Sequence, residues 1–196
     1  HRHICRMVGV DRKSLTGLTC VVLPWMSYGS VMQYMTKVGW FSQDAIRLIY
    51  QVVSGLAYLH EKGVSHGDLH VGRILVDVAR DVRLADFGLA NFADSAMSCS
   101  SALPGATRCM APEIIDPTLF QLQRVRHTPA SDMYSFGQVS WQIYTGEIPF
   151  PDLAICQAIL AILEGKGQER SLSGRDVPDA LWDVMEACWH FEPSRR

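Results

Sequence analysis

The sequence predicts an α+β domain in which a small amount of sheet precedes a mostly helical body. Three observations carry this. Short apolar runs at residues 4–8 and 19–23 flank a polar turn holding Asp11, Lys13 and Gly17, a pattern that reads as two strands. From Ser42 onward the apolar period changes to that of a helix, and three more helical stretches occupy the last third of the chain. Strands and helices do not alternate one by one, as a doubly wound parallel sheet requires.

The elements follow in order. Ile46, Ile49, Val53, Leu56 and Leu59 repeat at helical spacing, with Ser42 expected as N-cap and Gly63 as the stop. Two further strand candidates, 74–78 and 82–85, are separated by a polar turn at 79–81. Residues 86–113 carry Ser, Gly, Ala and Pro with little periodicity and read as one long functional loop. Helices are expected at about 131–145, closed by Gly146, and at about 152–164 and 178–190.

Composition bounds the function. The 196 residues are 48% hydrophobic and 19% charged, enough for one domain with a sizeable core. Lys+Arg 18 against Asp+Glu 20 leaves a net charge of -2, which argues against nucleic acid or an anionic membrane as partner. No apolar run approaches the roughly 18 residues of a membrane-spanning helix, and residues 1–5 have no secretory-signal pattern. Cysteines stand at 5, 20, 99, 109, 156 and 188 with no zinc-type spacing. Cys20, Cys156 and Cys188 lie in apolar periodic stretches and read as reduced core thiols, implying a reducing compartment.

Three short segments carry chemistry. His66-Gly67-Asp68-Leu69 follows the long helix, Asp86-Phe87-Gly88 follows the second hairpin strand, and Ala111-Pro112-Glu113 closes the loop. Each alone is weak. Together, with 18 residues from Asp68 to Asp86 and 25 from there to Ala111, they are a specific signal.

In this order the segments resemble a eukaryotic protein kinase domain, and the resemblance covers almost the whole chain. Residues 1–10 resemble the entry to the fourth strand of the small lobe, and Leu23-Pro24-Trp25-Met26 the gatekeeper and hinge. Residues 27–30 resemble the turn into the next helix, and 131–137 the central helix of the large lobe. The resemblance implies a kinase-like fold with residues 1–26 ending the small lobe and hinge, and 27–196 forming the large lobe.

It also implies ATP and Mg2+ as cofactors. Asp68 would orient the attacking hydroxyl, and Asp86 would hold magnesium across the phosphates. Met26 would offer its N–H and carbonyl to adenine and Pro24 its carbonyl, with Leu23 as back wall and Leu75 as floor. Asp132 would hold the catalytic-loop backbone, Glu113 would pair with Arg196, and His66, Phe87 and Met7 would stack as a spine.

The chain also departs from the pattern. There is no glycine-rich GxGxxG loop, and lysines 13, 37, 62 and 166 fall outside any corresponding strand. With its start at His1 and its end at Arg196, it reads as a partial domain that binds ATP weakly. Arg73 stands where the catalytic loop carries an asparagine that ligates the second magnesium, and a guanidinium cannot ligate a cation. It is expected to pair with Asp86, Asp68 or a phosphate instead. Gly67 replaces an arginine that grips a phosphorylated loop.

The resulting expectation is a kinase domain fragment that in the complete protein phosphorylates tyrosine, or serine and threonine, and is impaired here. The alternative is an inactive pseudokinase acting as a scaffold. Residues 26–30, 102–104 and the absence of a lysine two residues after Asp68 resemble the tyrosine group, residues 58–60 and 105–113 the tyrosine-kinase-like serine/threonine group, and the balance falls on the tyrosine side. A protein substrate or docking partner is implied, in the cytoplasm or on the cytoplasmic portion of a receptor.

Overall fold

The computed structural model describes residues 1–87, 105–172 and 175–196. An antiparallel pair, β1 (Gly9–Asp11) and β2 (Cys20–Val22), leads into helices α1 (Val31–Val38) and α2 (Ser42–Glu61). A second antiparallel pair, β3 (Ile74–Val76) and β4 (Val82–Leu84), follows, with Ile74 opposite Leu84. The rest is α3 (Pro112–Ile115), α4 (Pro129–Thr145), α5 (Ile155–Leu163), the short β5 (Ser171–Leu172) and β6 (Arg175–Asp176), and α6 (Asp179–Cys188).

Helix α4 is the axis of the body. Thr128 and Ser131 form a reciprocal capping box at its start, Pro129 occupies the first turn, and Gly146 closes it with φ +86°. Every residue from Tyr134 to Thr145 is buried. It packs against α2 on one side and α6 on the other. Leu48, Val52 and Leu56 of α2, Ile74, Val76, Val82 and Leu84 of the hairpin, and Val139, Trp141 and Ile143 of α4 share one core. Ile114, Tyr134, Phe150 and Ile162 anchor a smaller one beneath α5.

Two glycines permit this closeness. A Cβ on Gly55 of α2 would stand 2.8 Å from Leu84 Cδ1 and 3.1 Å from the His3 carbonyl. On Gly137 of α4 it would stand 3.0 Å from the Cβ of Cys188. A side chain at either position would force its neighbours to shift.

The first strand differs from the expectation. Of residues 4–8 only Val8 reaches β2, its N–H donating to the Val22 carbonyl at 2.9 Å; the strand that pairs with β2 is β1, shifted toward the C-terminus. The stretch around Cys5 instead lies along β4, where the Leu84 N–H donates to the His3 carbonyl and the Cys5 N–H to the Leu84 carbonyl. Cys5 is buried by this, while Met7 is 57% exposed. The proposed stack of His66, Phe87 and Met7 is therefore open at Met7.

Helix α2 begins with Phe41 as its N-cap residue, so Ser42 lies inside the helix rather than before it. The expected long loop contains a 3-10 turn at Thr107–Cys109 and, from Pro112, helix α3. Its serines 95, 98, 100 and 101, with Gly88 and Cys99, lie outside the described residues. Of the three cysteines read as core, Cys188 is buried, Cys20 half-buried and Cys156 exposed. Helix α5 is apolar nearly all round and buries only Ala158, Ala161 and Ile162, which leaves Cys156 outside.

The expected Glu113–Arg196 pair is present and bidentate, at 2.7 and 3.0 Å, with side chains 4% and 0% exposed. Removing one partner leaves the other buried and charged. Glu113→Gln is expected to cost about 3 kcal/mol, read as a lower urea midpoint with an unchanged slope. An unchanged midpoint would contradict the account.

Candidate active site

The site is built from α4 outward. Asp132, in the first turn of that helix, is 2% exposed. Its Oδ2 accepts the His66 N–H at 2.7 Å and its Oδ1 the Gly67 N–H at 2.8 Å, as expected for this residue. His60 Nε2 lies 2.8 Å from the same Oδ2. Gly67 takes φ +83°, a conformation that favours glycine, so the chain turns sharply and presents Asp68.

His66 is fully buried beneath this turn, and its Nδ1 accepts the Asp68 N–H at 3.4 Å. Burial pushes the imidazole down to about 4, against the opposing pull of Asp132. Four residues on, His70 repeats the device: its Nδ1 accepts the Gly72 N–H at 3.1 Å and caps the 3-10 turn Val71–Arg73. Burial lowers the pKa of His70 as well.

The hairpin then brings the second carboxylate in. Arg73 precedes β3 and Asp86 follows β4, and the Ala85 N–H donates to the Arg73 carbonyl at 2.9 Å. Asp86 takes φ +56°. Arg73 Nη1 pairs with Asp86 Oδ2, and its Nη2 lies 3.5 Å from Asp68 Oδ2. One guanidinium thus holds both carboxylates. The three side chains are 23 to 33% exposed.

The fold brings Asp68, Asp86 and Arg73 together. Asp68 and Asp86 are hard oxygen donors of the kind magnesium takes. The third member of the set is a cation, and it occupies the space between them. As arranged, these residues do not fit a magnesium ion.

The hinge residues are less enclosed. Leu23 and Met26 are half-buried, Pro24 is exposed, and Trp25 is 91% exposed. The Met26 carbonyl already accepts the Gly29 N–H at 3.0 Å. The following turn is pinned to β3, since the Tyr28 N–H donates to the Val76 carbonyl and the Val76 N–H to the Gly29 carbonyl. Leu75, half-buried, bridges to Ser30 in the same seam.

Three features were not singled out from the sequence. A small, half-open cleft lies beside Asp68, between Gly67, Cys109, Met110, Ile114 and Ser131. Arg108 is buried and donates to the carbonyls of Pro149, Phe150 and Leu153, tying the segment after the loop to the start of α5. His70 is the third; its position two residues after Asp68 was its only sequence signal.

The turn at Asp68, the Asp86 corner and the Glu113–Arg196 clamp stand as a kinase-like fold would place them. The chain belongs to the protein tyrosine and serine/threonine kinase family, whose model matches residues 1–196. Over its whole length it is 29% identical to serine/threonine-protein kinase STY17 of Arabidopsis thaliana and spans 33% of that protein. It is 30% identical to serine/threonine/tyrosine-protein kinase HT1 of the same plant, spanning 48% of it. It is 29% identical to mitogen-activated protein kinase kinase kinase 1a of Physcomitrium patens, spanning 24%. The chain therefore covers a quarter to a half of the length of these relatives.

The depressed pKa of His66 makes stability depend on pH. The unfolded imidazole takes up a proton below about 6.5 and the folded one only near 4. Its contribution is complete above the unfolded value and is lost as pH falls toward the folded one, by about 3 kcal/mol. His66→Leu is expected to flatten the stability curve between these two pH values. Parallel curves for the two chains would contradict this.

Proposed function

We propose that this chain is the hinge and large lobe of a protein kinase domain, with residues 1–26 ending the small lobe and 27–196 forming the large one. In the complete protein the domain would transfer a phosphoryl group from ATP to a protein hydroxyl. Arg73 holds it in an impaired state. The observation that carries this reading is the convergence of Asp68 and Asp86 on Arg73, on a turn whose backbone is fixed by Asp132.

Asp68 is the residue suited to orient an acceptor hydroxyl, because its carboxyl group is partly open to solvent and beside a cleft. Asp86 is committed to Arg73. Leu23, Pro24, Met26 and Leu75 would frame an adenine ring, with hydrogen bonds from backbone groups at 24 and 26. The relatives' names read serine/threonine or serine/threonine/tyrosine kinase. They weigh toward serine and threonine acceptors, against the tyrosine preference read from residues 26–30.

A second reading, a non-catalytic docking module, is favoured by the same Arg73–Asp86 pair. Under either reading the partner is a protein. No helix among the described residues is long and apolar enough to cross a membrane. A cytoplasmic setting, or the cytoplasmic portion of a receptor, agrees with the free cysteines 5, 20, 109, 156 and 188.

Thermal unfolding with and without magnesium-ATP separates the possibilities. The chain as it stands is expected to show little or no rise in Tm, and Arg73→Asn a rise of several degrees. Equal behaviour of the two chains would overturn Arg73 as the obstruction.

A further inference from the structure

His70 is 2% exposed, and its ring has one nitrogen in use. Nδ1 accepts the Gly72 N–H at 3.1 Å. A neutral imidazole that accepts at Nδ1 carries its proton on Nε2. That Nε2 is buried without a hydrogen-bond partner and stands 3.9 Å from Asp68 Oδ2. A buried donor left unpaired costs free energy, and the acceptor facing it is a carboxylate a short shift beyond hydrogen-bond distance.

Asp68 Oδ2 therefore has two donors competing for it: Arg73 Nη2 at 3.5 Å and His70 Nε2 at 3.9 Å. We propose that His70 is a positioning residue for Asp68, its Nε2–H taking the carboxylate when Arg73 releases it. The inference rests on reading Asp68 as the residue that orients the acceptor hydroxyl.

The two donors are not equivalent. Arg73 brings a full positive charge beside Asp68 and offsets the charge of the carboxylate. Neutral His70 fixes the direction of the carboxylate without cancelling its charge. On His70, Asp68 keeps both its orientation and its capacity to accept a proton from a hydroxyl. Catalytic hydrogen bonds that are long in the empty enzyme commonly tighten when the site is filled. The Gly72 N–H is what makes this work, because it prevents the opposite tautomer from forming.

The test is long-range proton–nitrogen NMR on the whole chain with nitrogen-labelled histidine, in wild type, Arg73→Asn and Asp68→Asn. His70 is expected to be neutral with its proton on Nε2. The Hε2 resonance should move downfield in Arg73→Asn, where Asp68 is free to close on it, and show no such downfield move in Asp68→Asn, where no carboxylate is present. A proton on Nδ1, or one Hε2 position in all three chains, would overturn the proposal. Should a substituted chain fail to fold, the tautomer in the wild-type chain still decides. The readout needs no nucleotide, so loss of the kinase reading in a phosphotransfer assay and loss of this one are separate results.

Discussion

A single buried carboxylate organises the site. Asp132 sits in the first turn of the helix around which both cores pack, and its two oxygens receive consecutive backbone N–H groups of the turn at His66 and Gly67. Acidic groups are favoured at a helix N-terminus, so the helix stabilises the charge it buries. The turn in turn fixes where Asp68 points and lets His66 lie fully buried below it. Without that anchor the segment would be a polar loop with two unsatisfied amides in the interior.

Onto this frame the hairpin β3–β4 brings a residue that changes the chemistry. Arg73 and Asp86 flank the two strands, so their meeting follows from strand pairing rather than from chance contact of long side chains. Two carboxylates and one guanidinium leave the site with a net single negative charge. Arg73 makes the site less negative than the two carboxylates alone, and its guanidinium stands between them, where a cation would otherwise bridge. Asp132 fixes the turn that carries Asp68, and Arg73 sets the charge beside it.

Much of this was legible in the sequence because the chemistry constrains both residue type and spacing. The segments at 66–69, 86–88 and 111–113 disclosed the family, and the roles of Asp132, Glu113 and Arg196 followed from it. Helix α4 was legible from its period and its closing glycine. What was not legible depended on which neighbour a segment meets. The run at 4–8 is apolar enough for a strand, but Gly55 leaves room on α2 for the chain at His3 to lie along β4, and only Val8 bonds to β2. Pro112 reads as a loop residue, yet proline is equally at home in a first helical turn. An apolar period all round α5 gave no means of telling that Cys156 faces out. His70 was invisible because its meaning lies in a backbone N–H two residues away and a carboxylate across the turn.

The claim on which the account turns is that Arg73 and Asp86 are energetically bound to each other. A double-mutant cycle on Arg73→Gln and Asp86→Asn, followed by urea unfolding, measures that directly. The account predicts that the two losses are not additive, with a coupling of about 0.5–3 kcal/mol that shrinks as salt is raised. Additive effects, insensitive to salt, would mean the guanidinium does not hold the carboxylate, and the site would have to be read as open.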